Sequence, residues 1–442
     1  MCATRSRSTG KTLRRLGFGV ITALAVASCS HQTSGAAGTL DFGFGSDGKV
    51  SADLGSGADY ARAVVMQPDG KIVAAGSARD STQGDNFAVI RYTADGKLDA
   101  GFGDGGKVST DFGGKADVAN AVAIGPDGKI VAAGTSHATT TGDTIALARY
   151  TSDGKLDTGF GDGGKVSTDL GTRADHANAV VLQPDGKIVV AGSTRDPVQS
   201  DNFLLVRYTT DGKLDAGFGD GGKVSTDFGG KDDIANGVAI EPDGGFVAAG
   251  TSHGTATGDD IALARYFADG RLDAGFALGG KISADLGTRA DHAKAVVIDS
   301  DDKIVVAGST QDPVRGDKFV LVRYTSSGQQ DTDFGENGKV STDFGGKAAV
   351  AYGLALTPVG KLVAAGTSTG TATGDNIALA RYTSDGKLDA GFGDGGKVST
   401  NPGTKANSAN AVAVQHDGKI VVAGSTADPT QGDKFLVARY NG

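Results

Sequence analysis

GKLDAGFGDGGKVSTDFGGKADVANAVAIGPDGKIVAAGTSHATTTGDTIALARY, residues 96–150, is the stretch that decides the fold. It holds four short runs of β-branched and small apolar residues: Lys107–Asp111 (KVSTD), Asn120–Ile124 (NAVAI), Lys129–Gly134 (KIVAAG) and Ile145–Tyr150 (IALARY). Gly, Asp and Pro bound each run, which is the punctuation of strands joined by turns. Between the second and third runs lies Gly125-Pro126-Asp127-Gly128. Pro presets one backbone dihedral and Gly accepts positive φ, so this is a tight hairpin. No part of the stretch repeats its apolar residues at helical spacing, so few helices are expected.

The same stretch recurs along the chain. Units begin at Leu40, Leu98, Leu156, Leu214, Leu272, Gln330 and Leu388, every step is 58 residues, and the last unit stops three residues short at Gly442. An Arg-Tyr pair closes an apolar run in each: Arg91, Arg149, Arg207, Arg265, Arg323, Arg381 and Arg439 with the tyrosine that follows. The apolar side chains of one unit cannot offset the entropy of ordering 58 residues, so neighbouring units must stack and cover each other's faces. Four antiparallel strands in a period near 50 residues are the arithmetic of a β-propeller blade. The repeats 40–97, 98–155, 156–213, 214–271, 272–329, 330–387 and 388–442 therefore predict an all-β, seven-bladed propeller. If KVSTD is the outer strand of the preceding blade, Lys49–Asp53 has no earlier blade to join. It would complete the last one, so that the first and last strands of the chain share the closing blade.

Composition agrees. There are 72 Gly in 442 residues but only 9 Pro and no three-residue period, which excludes collagen. Hydrophobic residues make up 38% and the net charge is −9, which argues against extended disorder. Arg5, Arg7, Lys11, Arg14 and Arg15 precede a 12-residue apolar run, Leu16–Ala27, too short to span a membrane as a helix. That run ends Val26-Ala27-Ser28-Cys29 and resembles a bacterial lipoprotein signal. The resemblance implies residues 1–28 as signal peptide, lipid on Cys29, and residues 29–39 as lipidated cysteine and tether. The alternative is an ordinary export signal with Cys29 incidental. Loss of the five cations takes the formal charge from −9 to −14, which argues against nucleic acid as a partner. With Cys2 removed and Cys29 acylated no thiol remains to form a disulfide. The expected address is the bacterial envelope, at the outer membrane or cell surface.

The GxLDxxFGxxGKV segment, the xPDGKIVxAG hairpin and the terminal Arg-Tyr resemble the delta-60 repeat family of bacterial β-propellers, over residues 40–442. Departures are local: Phe276-Ala277-Leu278 replaces Phe-Gly-Asp, Gln329-Gln330 replaces Lys-Leu, and His416 replaces the hairpin proline. The resemblance implies a propeller at the envelope and carries over no catalytic residues.

Chemistry is harder to read. Asp53, Asp111, Asp169, Asp227, Asp285 and Asp343 end the KVSTD strand, and the Arg of each Arg-Tyr pair lies on the neighbouring strand. The expectation is a repeated structural Arg–Asp bridge, since catalysis seldom needs seven copies. Asp-Gly pairs such as Asp104-Gly105 read as turns, because they lack the alternating acidic ligands of a calcium site. His137, His176, His253, His292 and His416 have no close zinc-ligand spacing, so no metal and no cofactor is expected.

The units also alternate. Odd units carry charged loops such as Ser193–Asn202 (STRDPVQSDN), and even units neutral ones such as Thr135–Thr144 (TSHATTTGDT). In the expected topology these loops share a rim with the connections between blades, which places Arg173, Asp175, His176, Arg195 and Asp196 there. Seven is odd, so two charged units meet, and Arg79, Asp80, Asp428 and Lys434 mark that sector as a candidate docking surface. The expected function is a monomeric, lipid-anchored propeller that binds a protein or glycan without chemistry of its own. The rivals are an extracellular glycan lyase or hydrolase, and a purely structural spacer.

Overall fold

The computed structural model describes residues 35–442 apart from 56, 81–83, 139–141, 172–173, 196–199, 230–231, 255–257, 288–289, 313–315, 347, 371–373, 402–406 and 429–431. Among the described residues there are 28 strands in seven four-stranded antiparallel sheets and no helix. Cys29 and the signal segment lie outside the described residues, as do Arg173 and Asp196.

Blade 1 comprises Asp59–Met66, Ile72–Asp80, Gly84–Tyr92 and Lys107–Thr110, from the inner strand to the outer one. The next five blades repeat it, with inner strands Asp117–Ile124, Asp175–Leu182, Asp233–Ile240, Asp291–Ile298 and Ala349–Leu356. Blade 7 takes Asn407–Val414, Ile420–Asp428 and Gly432–Tyr440 from the end of the chain, and its outer strand, Lys49–Ala52, from the beginning. Lys49 pairs with Ala438 and Ala52 with Phe435. The ring is shut by the expected clasp.

The second and third strands of every blade are buried on both faces, because each hydrophobic layer lies between two blades. One layer joins Val73, Phe87 and Phe102 of blade 1 to Ile130, Ala132 and Tyr150 of blade 2. Small residues on these strands let the sheets approach.

One glycine of the xAG motif has a more specific duty. In blade 3, Ala177 pairs with Gly192 and Ala179 with Ala191, so Asn178 is an extra residue, a β-bulge. A Cβ on Gly192 would sit 1.8 Å from the His176 carbonyl oxygen. The glycine is what allows the inner strand to bulge. The same register shift occurs in all seven inner strands.

The expected Arg–Asp bridge is repeated around the ring but runs to a different aspartate. Arg207 Nε lies 2.8 Å from Asp215, in the Leu-Asp segment, and not beside Asp169 or Asp227. The chain after Tyr208 folds back, Leu214 bridges Tyr208, and this brings the Asp215 carboxylate under the guanidinium. Arg207 also stands over the Phe218 ring at 4.6 Å and donates to the Ala268 carbonyl of blade 4 at 2.6 Å. Burial pushes the Asp215 carboxyl up, but Lys187, the Gly217 amide and Arg207 together hold it below its ordinary value. The KVSTD aspartates instead cap the turns that follow them: Asp53, Asp111, Asp169, Asp227, Asp285 and Asp343 accept from the amides of Gly55, Gly113, Gly171, Gly229, Gly287 and Gly345. At the clasp the same joint links the two ends of the chain, Arg439 to Asp41 at 2.7 Å.

Candidate functional site: the mouth of the central channel

The bulged residues are Arg62, Asn120, Asn178, Asn236, Lys294, Tyr352 and Asn410, one from each blade in order. All seven line one cavity of about 530 Å³ on the propeller axis, with the small apolar residues that follow them. A bulge turns its side chain out of the alternation of the strand. Here it aims seven side chains at the axis instead of burying them between blades.

Four positions do the same thing. Asn120, Asn178, Asn236 and Asn410 each donate their amide nitrogen to an alanine carbonyl of the next blade, Ala177, Ala235, Ala293 and Ala61, at 2.7–2.9 Å. The amide oxygens are left as acceptors. The other three positions break the ring. Lys294 and Tyr352 stand on the adjacent blades 5 and 6, and Asn410 of blade 7 separates Tyr352 from Arg62 on blade 1, so the two cations flank the channel three blades apart. The three asparagines of blades 2, 3 and 4 face them from the other side.

Arg62 is unlike the other described arginines, and Lys294 is a half-buried lysine on the same wall. Every other described arginine is ion-paired, but among the described residues Arg62 and Lys294 make neither a salt bridge nor a hydrogen bond. Loss of hydration against the channel wall lowers the affinity of both for their protons, opposed for Arg62 by Tyr60 and Asp85 and for Lys294 by Asp259. The same desolvation raises the Tyr352 hydroxyl, whose side chain remains 39% exposed. Among the described residues no Asp, Glu or His lines the cavity.

The rim expected from the sequence is largely occupied with itself. Arg79 is paired with Asp85 at 2.9 Å, and Arg195 with Asp201 at 2.7 Å. Lys434 lies 3.3 Å from Asp428 and 3.8 Å from Asp53 of the clasp strand. Asp80 is exposed at the end of its strand. Asp175 is a correction: it is fully buried, accepts from the Leu170 amide and Thr194 hydroxyl, and so braces the connection between blades rather than facing a partner. His176 is half-buried, 3.6 Å from Asp143 of the preceding blade, which also bonds His137. His292 repeats this beside Asp259, with desolvation and nearby Lys294 lowering its pKa. Among the described residues no cluster of His, Cys, Asp and Glu could hold a metal ion.

Sequence reading missed Arg62, Lys294 and Tyr352. The signal was there: with the 58-residue units aligned, one column reads Arg, Asn, Asn, Asn, Lys, Tyr, Asn.

A family described as a domain of unknown function (DUF5122) beta-propeller matches residues 67–102, 125–160, 183–218, 241–276, 300–334 and 360–392. Each match begins near the hairpin turn and ends at or beside the Phe of the Arg–Asp–Phe joint, and the seven channel residues fall outside all six. No curated protein matches the chain in sequence. Among solved structures, a protein of unknown function from Dyadobacter fermentans is 12% identical with a TM-score of 0.42, over 89% of this chain and 97% of its own. An ulvan lyase of polysaccharide lyase family PL25 is 13% identical with a TM-score of 0.49, over 88% and 96%. A gluconolactonase from Xanthomonas campestris is 14% identical with a TM-score of 0.33, over 88% and 97%.

Proposed function

From a chain built on the repeat of a β-propeller family, we propose an exported envelope lipoprotein that binds a ligand at the mouth of its central channel and performs no chemistry on it. The observation that carries this reading is the broken asparagine ring. Four of its members are committed to joining blades, and the three that are not are chemically distinctive and open to a cavity. At about 300–1,000 Å³ such cavities suit small ligands. Without a carboxylate or imidazole on the wall, a molecule held there meets no acid–base pair of the usual kind.

The test compares the exported chain, released from the membrane by Cys29→Ser, with the same chain carrying Lys294→Ala and Tyr352→Ala. Wild-type channel protein should retain a ligand from envelope extract, read by native mass spectrometry, and the double variant should lose it. Equal retention by both overturns the channel as the seat. For the anchor, labelled palmitate should enter the full chain, and Cys29→Ser should move it from the membrane fraction to the soluble one. An unlabelled, soluble wild type overturns the lipoprotein reading.

A further inference from the structure

Resting on that reading and deepening it, we propose that the channel seat takes a small polyhydroxylated carboxylate, a sugar acid, with its anionic group held between Lys294 and Arg62 and its hydroxyls toward the asparagines of blades 2, 3 and 4.

The protein is acidic overall, and among the described residues every arginine but Arg62 is paired with a carboxylate. Two cations without partners on the wall of one cavity, with no carboxylate beside them there, are therefore a local exception. Arg62 is exposed and Lys294 half-buried, so both can meet a ligand in the cavity, and a bound anion would supply the counter-charge each lacks.

The hydroxyl argument is independent of charge. Asn120, Asn178 and Asn236 use their amide nitrogens on neighbouring carbonyls, which fixes the amide plane and leaves each Oδ1 as an acceptor. An acceptor in that place wants a donor, and an unpaired one in a partly desolvated site loses hydrogen-bond energy. Three acceptors on three consecutive blades match a ligand with several hydroxyls. Tyr352 adds an aromatic face, on which the C–H face of a sugar ring can pack, and a hydroxyl. The carboxylates that act on the two cations do so without an ion pair: Asp85, which acts on Arg62, is bound by Arg79, and Asp259, which acts on Lys294, by His253.

The experiment is calorimetric titration of the purified exported chain with glucuronate, glucose and acetate. Glucuronate should bind saturably, with glucose and acetate each at least about tenfold weaker, since each lacks one half of the match. Arg62→Ala and Lys294→Ala should each weaken glucuronate by about tenfold or more, the scale of one charge-assisted hydrogen bond. Arg271→Ala, at an exposed turn outside the channel, should leave it unchanged. Melting temperatures within a few degrees of wild type establish that the variants fold, as expected for cations without partners. Absence of glucuronate binding, glucose or acetate binding as tightly, or wild-type affinity in both channel variants would each overturn the proposal. If glucuronate fails while envelope-ligand capture still depends on Lys294 and Tyr352, only the ligand class falls; if both fail, the seat falls with it.

Discussion

Ser252→Thr should make the propeller more stable above pH 6 and change it far less at pH 4. Asp233 begins the inner strand of blade 4 and is 1% exposed. One carboxylate oxygen accepts from the Phe228 amide at 2.7 Å, and the other is buried without a partner. Burial pushes its pKa up to about 6, against the Phe228 bond, which lowers it, and with neighbouring Asp227 adding to the rise. In blades 3 and 5 the equivalent oxygen is satisfied, by Thr194 on Asp175 at 2.7 Å and by Thr310 on Asp291 at 2.6 Å. Blade 4 has Ser252 there, opposite Asp233 in the ladder, and its hydroxyl is turned to Ser283 instead.

The sign follows from the raised folded-state pKa. Between about pH 4 and pH 6 the native state holds a proton that the unfolded chain releases, so stability falls as pH rises through that window and then levels off. A shift from 3.8 to about 6 corresponds to on the order of 2–3 kcal/mol. A threonine hydroxyl donating to the ionised carboxylate should recover about 1.5–3 kcal/mol above pH 6, and about 1 kcal/mol or less once the acid is protonated. Thr426 occupies the same place in blade 7, so the scaffold accepts the extra methyl in three of its seven units. Urea unfolding at pH 4 to 8, followed by far-ultraviolet circular dichroism because the chain has no tryptophan, measures the difference. A stability offset between variant and wild type that is the same at pH 4 and pH 7.5, or a loss at pH 7.5, would refute the reasoning.

Three further outcomes are expected. Tyr208→Phe should cost about 1 kcal/mol in urea unfolding, because its hydroxyl bonds Thr168 of the neighbouring blade at 2.9 Å, whereas Tyr92→Phe should cost nothing, because Ala52 stands where that threonine would be and the Tyr92 hydroxyl has no partner. Ala52→Thr should make Tyr92→Phe costly, and this double-mutant cycle checks the pairing. Arg207→Ala should lower stability by about 2–3 kcal/mol by the same measurement, since it removes one of two cations from the largely buried Asp215, Lys187 remaining at 3.0 Å, and breaks a link to blade 4. A chelator should leave the melting temperature unchanged, as turns rather than ions fix the Asp-Gly loops; a fall in that temperature would contradict this.

Period, strand content and the clasp were legible in the chain because each depends on local spacing. The 58-residue step sets the unit, β-branched runs set the strands, and an unpaired KVSAD at the start forces closure at the end. Contacts that depend on a change of direction were not legible. The partner of Arg207 is decided by the fold-back that brings Leu214 against Tyr208, so the nearer candidate in strand order, the KVSTD aspartate, was the wrong one. Asp175 looks like a loop charge in sequence, yet strand pairing already begins at that residue and buries it. The channel ring escaped because a bulge shifts inward and outward facing by one residue, and nothing in NAVAI announces the shift except the distant glycine that permits it.

The shared last sheet has a bearing on how such a gene can grow. In an open solenoid, copying a unit lengthens the stack and disturbs only its two neighbours. Here an added or lost unit changes the wedge angle required of all the others simultaneously, and Lys49–Ala52 finds its place only if the sum comes right. Recombination between near-identical units is thereby audited at folding: a miscounted product meets its own first strand out of register, with a bare edge exposed, and is a substrate for proteolysis rather than a new variant.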